Sequence, residues 1–366
     1  DNAGSGGGIY LSDSFALINA GCVQNNKAYN GGGIAIGSSN VAIAGNASIL
    51  GNQTSSGGGL FIFDSKVTLG GNSKICNNRA KYSGGVLLDN SEMTISENAQ
   101  ICENTVTVRD AGISASHHNY ENIMLLGYET QIKITGGVIK DNYIICDESH
   151  KKEEACNLNR ASEFVNLKFS GSPEISGDIS LDDLQTGGPM LFIEDKFTPV
   201  YPLVLNPRYG TAGVKAVHYA DNLTVDENYK DIFTVPDGFN RELEQDGQDL
   251  KWIERARVEF EYTTSSDLER KEGKTLWISP GTVLDPSEIP EAAEIPGYTR
   301  IGWLSAGVSV PPQYEENMEL CDLTAPITIY TGLKDVWVLD KPEVTIAKDK
   351  DISCPAVPIT LTAKAT

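Results

Sequence analysis

The feature of this sequence that most constrains its fold is a pattern of apolar residues and asparagines that returns every 26 residues. The register holds through roughly the first hundred positions. The recurring sets are Ile34/Leu60/Val86, Ile36/Ile62/Leu88, Val41/Val67/Met93, Ile43/Leu69/Ile95, Ile49/Ile75/Ile101 and Asn26/Asn52/Asn78/Asn104. A constant period of this length predicts a solenoid, because each repeat can bury its apolar face only against its neighbours.

Within each repeat, the apolar residues come in pairs two positions apart, which places both side chains on the same face of a β-strand. The stretch from Ile34 to Ile43 lacks the i, i+3, i+4 spacing that an amphipathic helix requires. Each repeat is therefore expected to hold about three short strands, joined by bends rich in Gly, Asn and Ser. Repeats stacked at the sheet spacing of about 4.8 Å form a parallel β-helix.

Glycines and asparagines mark the predicted corners of each coil. A glycine run such as Gly31–Gly33 precedes the first strand and suits a corner that needs a positive φ angle or close backbone approach. Asn26, Asn52, Asn78 and Asn104 are predicted to form a structural ladder at another corner. There an asparagine tolerates left-handed geometry and hydrogen-bonds the equivalent side chain in the adjacent coil. A ladder that binds a ligand is the alternative interpretation.

The period loosens after Asn104 but continues. Two insertions are indicated, one around residues 116–127 and one over residues 147–160. Between and beyond them the pattern returns, and residues 169–178 match residues 43–52 position by position. We therefore predict that irregular coils or a cap extend the solenoid to residue 254, because an open terminal coil would expose unpaired backbone.

The repeats, with Gly-Gly before an apolar strand and Asn at a corner, resemble the right-handed parallel β-helix repeats of bacterial surface proteins, including polymorphic outer-membrane adhesins. The resemblance covers residues 5 to about 180. It implies a right-handed parallel β-helix for the first predicted domain, residues 1–254. It names no ligand.

A different small domain is predicted over residues 255–340, carrying the run Gly297-Tyr298-Thr299-Arg300-Ile301-Gly302-Trp303. This run, with later strand residues and Trp337, resembles the internalin-type B repeat, also called the Listeria–Bacteroides repeat. The resemblance implies a small β-grasp-like module that serves as a spacer in bacterial surface proteins. The six residues between Tyr330 and Trp337 depart from the family pattern. We interpret Tyr298 and Trp303 as core aromatics, since a small domain needs large side chains to form a core; a ligand platform is the alternative.

Residues 341–366 resemble the opening strands of an immunoglobulin-like domain, and they are too few to fold alone. We therefore expect the sequence to be a piece of a longer protein. Any signal peptide or surface anchor would then lie outside it.

The net charge of the chain limits the classes of partner that it can bind. The formal net charge is -21, and residues 1–100 hold only six acidic and five basic residues, so the excess lies from residue 101 onward. Such a surface repels phosphate backbones, so no nucleic-acid partner is predicted. No apolar run reaches the ~20 residues of a membrane helix, so no membrane insertion is predicted.

We expect a monomer without cofactor or metal. We also expect the protein to be extracellular, either secreted or attached to the cell surface. We interpret the excess of acidic side chains as a means of keeping the protein soluble; calcium binding by these side chains is the alternative.

The seven cysteines form no regular framework. Cys76 and Cys102 are one period apart, so they are expected to stack within disulfide range. Leu50 occupies the same register, which favours two buried thiols over a bond. Cys146 and Cys156 bracket the second insertion, where a loop-closing disulfide competes with a zinc site that also uses a histidine, His150. The other three cysteines, Cys22, Cys321 and Cys354, have no evident partners.

Three functional classes remain open. The first is an adhesin-like surface module that presents loops and sheet faces to a host or environmental glycan or to a surface protein. Its predicted binding residues are His117, His118 and Tyr120 in the first insertion, because loops on a regular scaffold commonly carry recognition and a tyrosine ring can stack on a sugar. A solvated loop without binding is the alternative for the same residues.

The second class is a polysaccharide lyase or glycoside hydrolase of the β-helix type. Its chemistry needs carboxylates that converge on one sheet face beside a basic group. The regular coils offer the column Asn40/Lys66/Glu92 and no acidic pair, so no catalytic residue is predicted and an enzyme is the less favoured interpretation. The third class is a structural stalk that binds nothing.

Overall fold

The structure is a computed structural model of the protein, and its described residues divide into two compact units, Asp1–Glu254 and Arg255–Thr366. The described residues are 4–107, 123–127, 129–145, 152–154, 158–160, 165–181, 190–207, 212–236, 239–263, 271–291, 295–305, 320–327 and 331–339. The fold is all-β, and the first unit is a parallel β-solenoid of about 7 turns. The stacked coils predicted from the 26-residue period are therefore confirmed.

The N-terminal coil contains three strands, and each of the next four coils contains four. The first coil holds β1 (Ile9–Ser12), β2 (Phe15–Ile18) and β3 (Cys22–Gln24). The next two hold β4 (Ile34–Gly37), β5 (Asn40–Ile43), β6 (Ser48–Leu50), β7 (Gln53–Ser56), β8 (Leu60–Phe63), β9 (Lys66–Leu69), β10 (Lys74–Cys76) and β11 (Arg79–Tyr82). The two after these hold β12 (Val86–Asp89), β13 (Glu92–Ile95), β14 (Gln100–Cys102), β15 (Thr105–Thr107), β16 (Ile123–Leu126), β17 (Gln131–Ile134), β18 (Val138–Lys140) and β19 (Tyr143–Ile145).

The remaining coils of the first unit are less regular. Their strands are β20 (Lys152–Glu154), β21 (Leu158–Arg160), β22 (Asn166–Gly171), β23 (Glu174–Ile175), β24 (Asp178–Leu181), β25 (Leu191–Phe197), β26 (Leu203–Asn206), β27 (Lys215–Tyr219), β28 (Phe233–Thr234), β29 (Arg241–Asp246) and β30 (Asp249–Glu254). One helical turn, α1 (Tyr229–Ile232), lies just before β28.

The strands stack into four sheets that run along the solenoid. The first sheet has the order β1-β4-β8-β12-β16-β21-β24-β26-β28, the second β2-β5-β9-β13-β17-β22-β25-β27-β30-β29, the third β3-β6-β10-β14-β18-β23 and the fourth β7-β11-β15-β19-β20. Ile34 pairs with Leu60, and Leu60 pairs with Val86. All three side chains are fully buried, so the predicted inward column is confirmed.

The fourth strand of each coil was not predicted. The interpretation of about three strands per repeat is wrong for the coils that contain β7, β11, β15 and β19. A search for paired apolar residues does not find β11 and β15, because each of them buries a single inward residue, Ala80 in β11 and Val106 in β15. The fourth sheet ends where β20 pairs antiparallel with β19.

The left-handed backbone at the asparagine corner lies one residue earlier than predicted. Gly51, Asn77 and Glu103 have φ angles of 63°, 58° and 54°, whereas Asn52 and Asn78, which follow the first two, do not have positive φ. At the corner before the first sheet, close packing explains glycine: a Cβ atom on Gly33 would lie 2.5 Å from Cγ2 of Ile49.

The C-terminal coils keep the inward columns, and their described residues contain no strand that extends the fourth sheet beyond β20. Phe169 pairs with Ile134 of the preceding coil, as the match to residues 43–52 predicts. Asp178 differs from its counterpart Asn52, because it begins β24 and enters the first sheet directly. Aromatic rings fill the core here: Phe197 lies 5.9 Å from Phe169 and 6.1 Å from Phe233, measured between ring centroids. The hairpin β29–β30 then covers β27 in antiparallel pairing, which ends the parallel stack.

The second unit contains a four-stranded mixed sheet. Its strands are β31 (Ala256–Thr263), β32 (Lys271–Ile278), β33 (Tyr298–Ser305) and β34 (Thr331–Leu339), and a 3-10 turn covers Pro286–Glu288. The order is β32-β31-β34-β33, with the central pair parallel and both outer pairs antiparallel. Residues Thr331 to Trp337 lie within one continuous strand, β34.

Trp303 is a core residue of this sheet, as predicted. Its ring makes an edge contact with Phe260 at 4.8 Å, and the guanidinium of Arg300 lies 4.2 Å from its centroid. Tyr298 is only half-buried. Trp337 is also buried, and its indole Nε1 donates to Oδ2 of Asp335 at 2.9 Å.

Candidate functional site

The binding residues predicted from the first insertion, His117, His118 and Tyr120, lie outside the described residues. The chain is described up to Thr107 at the end of β15 and again from Ile123 at the start of β16. The Cys146–Cys156 pair and the alternative zinc ligand His150 also lie outside the described residues, as does Cys354.

The asparagine ladder consists of Asn26, Asn52, Asn78, Asn104 and Asn142. In every step, both the backbone N–H and the side-chain amide of one asparagine donate to Oδ1 of the next. The distances from Asn52 to Asn78 are 3.0 and 2.9 Å. The same side-chain amides also donate to a carbonyl of the preceding coil, as Asn78 does to Ile49 at 3.0 Å.

The geometry of the asparagine ladder makes it a part of the scaffold. Four of its members, from Asn52 to Asn142, are fully buried. The Oδ1 of each inner member accepts two hydrogen bonds and its amide donates two, so the hydrogen-bonding capacity is used within the stack. A ligand in solution could not reach these atoms.

A second ladder, at the corner between the first and second sheets, was missed. The backbone N–H of Ser39 donates to Oγ of Ser65, and that of Ser65 donates to Oγ of Ser91. Thr130 continues the stack as an acceptor for Ser91. The signal was present in the sequence, since Ser39, Ser65 and Ser91 are spaced by the 26-residue period.

Cys76 and Cys102 form a disulfide bond between adjacent coils, with their Cα atoms 4.7 Å apart. The prediction of two buried thiols was therefore wrong. The register that supported it is confirmed, since Cys76 pairs with Leu50 on one side and with Cys102 on the other. An apolar neighbour in the column does not prevent the bond, because strand pairing already brings the two Cα atoms into disulfide range.

A cluster of aromatic and charged side chains lies on the outer face of the second sheet, in its C-terminal coils. It lines a shallow groove of about 460 Å³. We call it the second-sheet groove, and its lining includes Asn166, Lys168, Phe192, Glu194, His218 and Asp221. Parallel pairing creates it, because Lys168 pairs with Phe192 and Phe192 pairs with His218. The rings of Phe192 and His218 meet edge to face with centroids 6.0 Å apart.

Two lysines hold Glu194 beside the groove. Its carboxylate lies 2.7 Å from Nζ of Lys133 and 2.9 Å from Nζ of Lys168. Burial alone would raise the pKa of Glu194, but the hydrogen bonds from Lys133 and Lys168 outweigh it and hold the pKa below its usual value. Glu194 is therefore an anion that fixes the position of both ammonium groups.

A second charged group adjoins the groove at the end of the second sheet. Nδ1 of His218 lies 2.8 Å from Oδ1 of Asp249, and Nζ of Lys215 lies 2.7 Å from Oδ2 of the same carboxylate. Burial would raise the pKa of Asp249, but the hydrogen bonds from Lys215 and His218 outweigh it and lower the pKa. A carboxylate on Nδ1 fixes the imidazole ring and directs its other nitrogen away from Asp249.

Sequence reasoning missed this groove, although a signal existed. The runs Leu191-Phe192-Ile193 and Val217-His218-Tyr219 are again separated by 26 residues, and the structure pairs them position by position. Each run has the apolar pattern of a strand, but only alignment to the 26-residue period places one run beside the other. The middle residue of each run faces outward, so alignment would have placed Phe192 beside His218.

No protein-family model matches the chain, and no curated protein is similar to it in sequence. Within the described part of the chain, no helix is long and apolar enough to span a membrane. The same residues contain no group of three or more His, Cys, Asp or Glu side chains placed to hold a metal ion.

Proposed function

We propose that this chain is an extracellular, adhesin-like β-helix that binds a neutral glycan in the second-sheet groove. The groove carries this proposal, because it combines a half-buried aromatic ring with amide, ammonium and carboxylate groups on a rigid sheet. Sugar rings present apolar C–H faces together with many hydroxyl groups. Phe192 offers an apolar surface for the former, and Asn166, Lys168 and Asp221 offer donors and acceptors for the latter.

The charges of the groove favour a neutral ligand. Lys168 contributes one positive charge, while Glu194 and Asp221 contribute two negative charges, so the formal sum of these lining groups is -1 with His218 neutral. Lys133 adds a positive charge behind Glu194. An anionic sugar would thus find no net attraction in this groove.

The glycan proposal is tested with the full chain on a glycan array, comparing wild type with Phe192→Ala. Removal of the ring is expected to weaken binding of the recognised glycan about tenfold, equivalent to about 1.4 kcal/mol. The matched control is Thr68→Ala, which removes an outward side chain from the same sheet in the regular coils. Equal binding by wild type and Phe192→Ala would contradict the groove as the site. Absence of any glycan binding would favour the stalk.

The His218–Asp249 pair supports a second candidate, a polysaccharide lyase or hydrolase. A histidine whose Nδ1 is held by a carboxylate is a suitable general base, and Lys215 lies on the same carboxylate. Incubation of the chain with acidic polysaccharides and calcium, followed by measurement of new reducing or unsaturated ends, tests this candidate. Turnover that disappears in His218→Asn would support it, and no turnover by the wild type would exclude it for those substrates.

The second unit is proposed to be a spacer of the internalin B-repeat type, with the start of an immunoglobulin-like domain after it. Support comes from the Gly297–Trp303 motif on β33 and from the packing of Trp303 on Phe260.

The Cys76–Cys102 disulfide supports an extracellular location, because such bonds persist in oxidising compartments. Antibody labelling of intact, non-permeabilised cells tests that location.

A further inference from the structure

The outer face of the fourth sheet carries a second set of polar side chains. They belong to the N-terminal coils, whereas the groove residues belong to the C-terminal coils. Lys27 pairs with Gln53, and Gln53 pairs with Arg79. Two residues further along each coil lie Tyr29, Ser55 and Lys81. Ser55 and Lys81 lie on β7 and β11 and therefore face the same way as Gln53 and Arg79, and Tyr29 lies in a bend of the coil before β7. We call these six residues the basic face.

The basic face is open to solvent. Lys27, Gln53, Arg79 and Lys81 are exposed, and Tyr29 is 58% exposed. The strand residue between Arg79 and Lys81, Ala80, is buried, which confirms that its two neighbours point outward. A depression of about 380 Å³ lies over this surface, lined among others by Lys27, Gln53, Ser55 and Lys81.

The charge of this face is opposite to that of the whole chain. Of the five basic residues in positions 1–100, three lie here: Lys27, Arg79 and Lys81. In the described part of the chain, no carboxylate lies within ion-pair distance of any of the three. The ammonium of Lys81 lies 5.2 Å from the ring centroid of Tyr82, a cation–π contact that leaves it able to bind an anion.

The spacing of the three cations fits a narrow ligand with repeated negative charges. Arg79 and Lys81 are separated by about 7 Å along one strand, and Lys27 lies two coils from Arg79, about 10 Å across the sheet. At physiological ionic strength the Debye length is about 8 Å, so acidic groups elsewhere on the chain are screened from a ligand confined to this face. A planar membrane surface or a nucleic-acid duplex would extend beyond it, toward the acidic remainder.

We propose that the basic face binds a linear acidic polysaccharide. Its sulfate or carboxylate groups would be held by Lys27, Arg79 and Lys81, and a sugar ring would lie against the exposed ring of Tyr29. Gln53 and Ser55 supply neutral hydrogen-bonding groups between the cations for sugar hydroxyls. This site differs from the second-sheet groove in both position and ligand charge, so either proposal can hold without the other.

The test uses the full chain and two soluble probes, dextran sulfate and polygalacturonate, with neutral dextran as the reference. The wild type is expected to bind at least one charged probe at low salt, with affinity that falls as salt rises. The double variant Lys27→Gln/Lys81→Gln is expected to bind at least tenfold more weakly and with a shallower salt dependence. The matched control, Lys66→Gln/Lys74→Gln, removes the same charge from the second and third sheets and is expected to stay within twofold of wild type.

Further arms identify the ligand class. Preferential binding of dextran sulfate assigns sulfate groups, and preferential binding of polygalacturonate assigns carboxylates. Tyr29→Ala is expected to weaken polysaccharide binding and to leave the weak binding of poly-glutamate unchanged. Phe192→Ala, in the groove, is expected to bind both probes as the wild type does. The proposal is overturned if charged probes bind no better than neutral dextran, if both double variants bind equally, or if poly-glutamate or single-stranded DNA binds as tightly as the polysaccharides.

Discussion

The regular coils of residues 34–107 and the irregular coils of residues 158–254 solve the same packing problem in different ways. Both keep inward apolar columns in the first and second sheets. The regular coils add the asparagine ladder, a fourth strand and small inward residues such as Ala80. The irregular coils replace these with a cluster of Phe169, Phe197 and Phe233 and with the closing hairpin β29–β30.

The outer faces differ as well. In the second sheet, the outward positions of the regular coils include Ala42, Thr68 and Thr94, and those of the later coils include Phe192 and His218. Repetition is suited to stability, because one side chain meets its equivalent in every coil. The departures from repetition place unlike side chains side by side, which a recognition site requires.

The largest expected effect comes from the aromatic cluster of the irregular coils. Phe169→Ala removes a fully buried ring and its contact with Phe197, and we expect it to lower the free energy of unfolding by about 3–5 kcal/mol. Leu69→Ala, in the same column of the regular coils, is expected to cost about 2–4 kcal/mol, because less volume is lost. Denaturant titration measures both. A smaller cost for Phe169→Ala than for Leu69→Ala would contradict the role of the aromatic cluster.

The asparagine ladder gives the next largest effect. Asn78→Ala leaves the N–H and amide of Asn52 and the carbonyl of Ile49 without their partners inside the stack, so the free energy of unfolding is expected to fall by about 2–4 kcal/mol. The control is Asn72→Ala. The side-chain amide of Asn72 donates to Oδ1 of Asn46 in the adjacent coil, but this pair is exposed to solvent, so we expect the free energy of unfolding to change by no more than about 0.5 kcal/mol. Equal losses of stability at Asn78 and Asn72 would show that burial does not determine how much such hydrogen bonds contribute to the free energy of unfolding.

The smallest expected effects are pH-dependent and opposite in sign in the two regions. In the irregular coils, the pKa of Glu194 lies below its ordinary value of 4.5, so its contribution to stability is full above that value and is lost as the pH falls through the folded pKa. In the regular coils, burial and the neighbouring Asp64 raise the pKa of Asp89 above its ordinary value of 3.8. Its contribution is therefore full below 3.8 and is lost as the pH rises through the folded pKa.

Measurement of the free energy of unfolding from about pH 7 down to about pH 3 tests this contrast. At neutral pH, Glu194→Gln is expected to be less stable than wild type, and Asp89→Asn is expected to be as stable or more stable. Both differences are expected to shrink as the pH falls, because the wild-type carboxyl then becomes neutral. A stability difference for Glu194→Gln that grows toward low pH would contradict the assignment.

Some parts of the site were accessible from sequence and others were not. The asparagine ladder is placed by the 26-residue period alone, and the missed serine ladder obeys the same period. The groove needed the pairing of Lys168 with Phe192, whose spacing is 24 residues and breaks the period. Strands β11 and β15 were missed because a strand with a single inward apolar residue leaves no alternating apolar pattern.

By itself, the sequence determined the stacking of coils, because side chains that recur at a constant interval can all be buried only when their strands lie in register. It also determined which apolar columns face inward. The tertiary structure decided the Cys76–Cys102 bond and the exact corner of left-handed backbone. It also decided which side chains line the second-sheet groove, since Lys168 and Phe192 pair although their spacing departs from the 26-residue period.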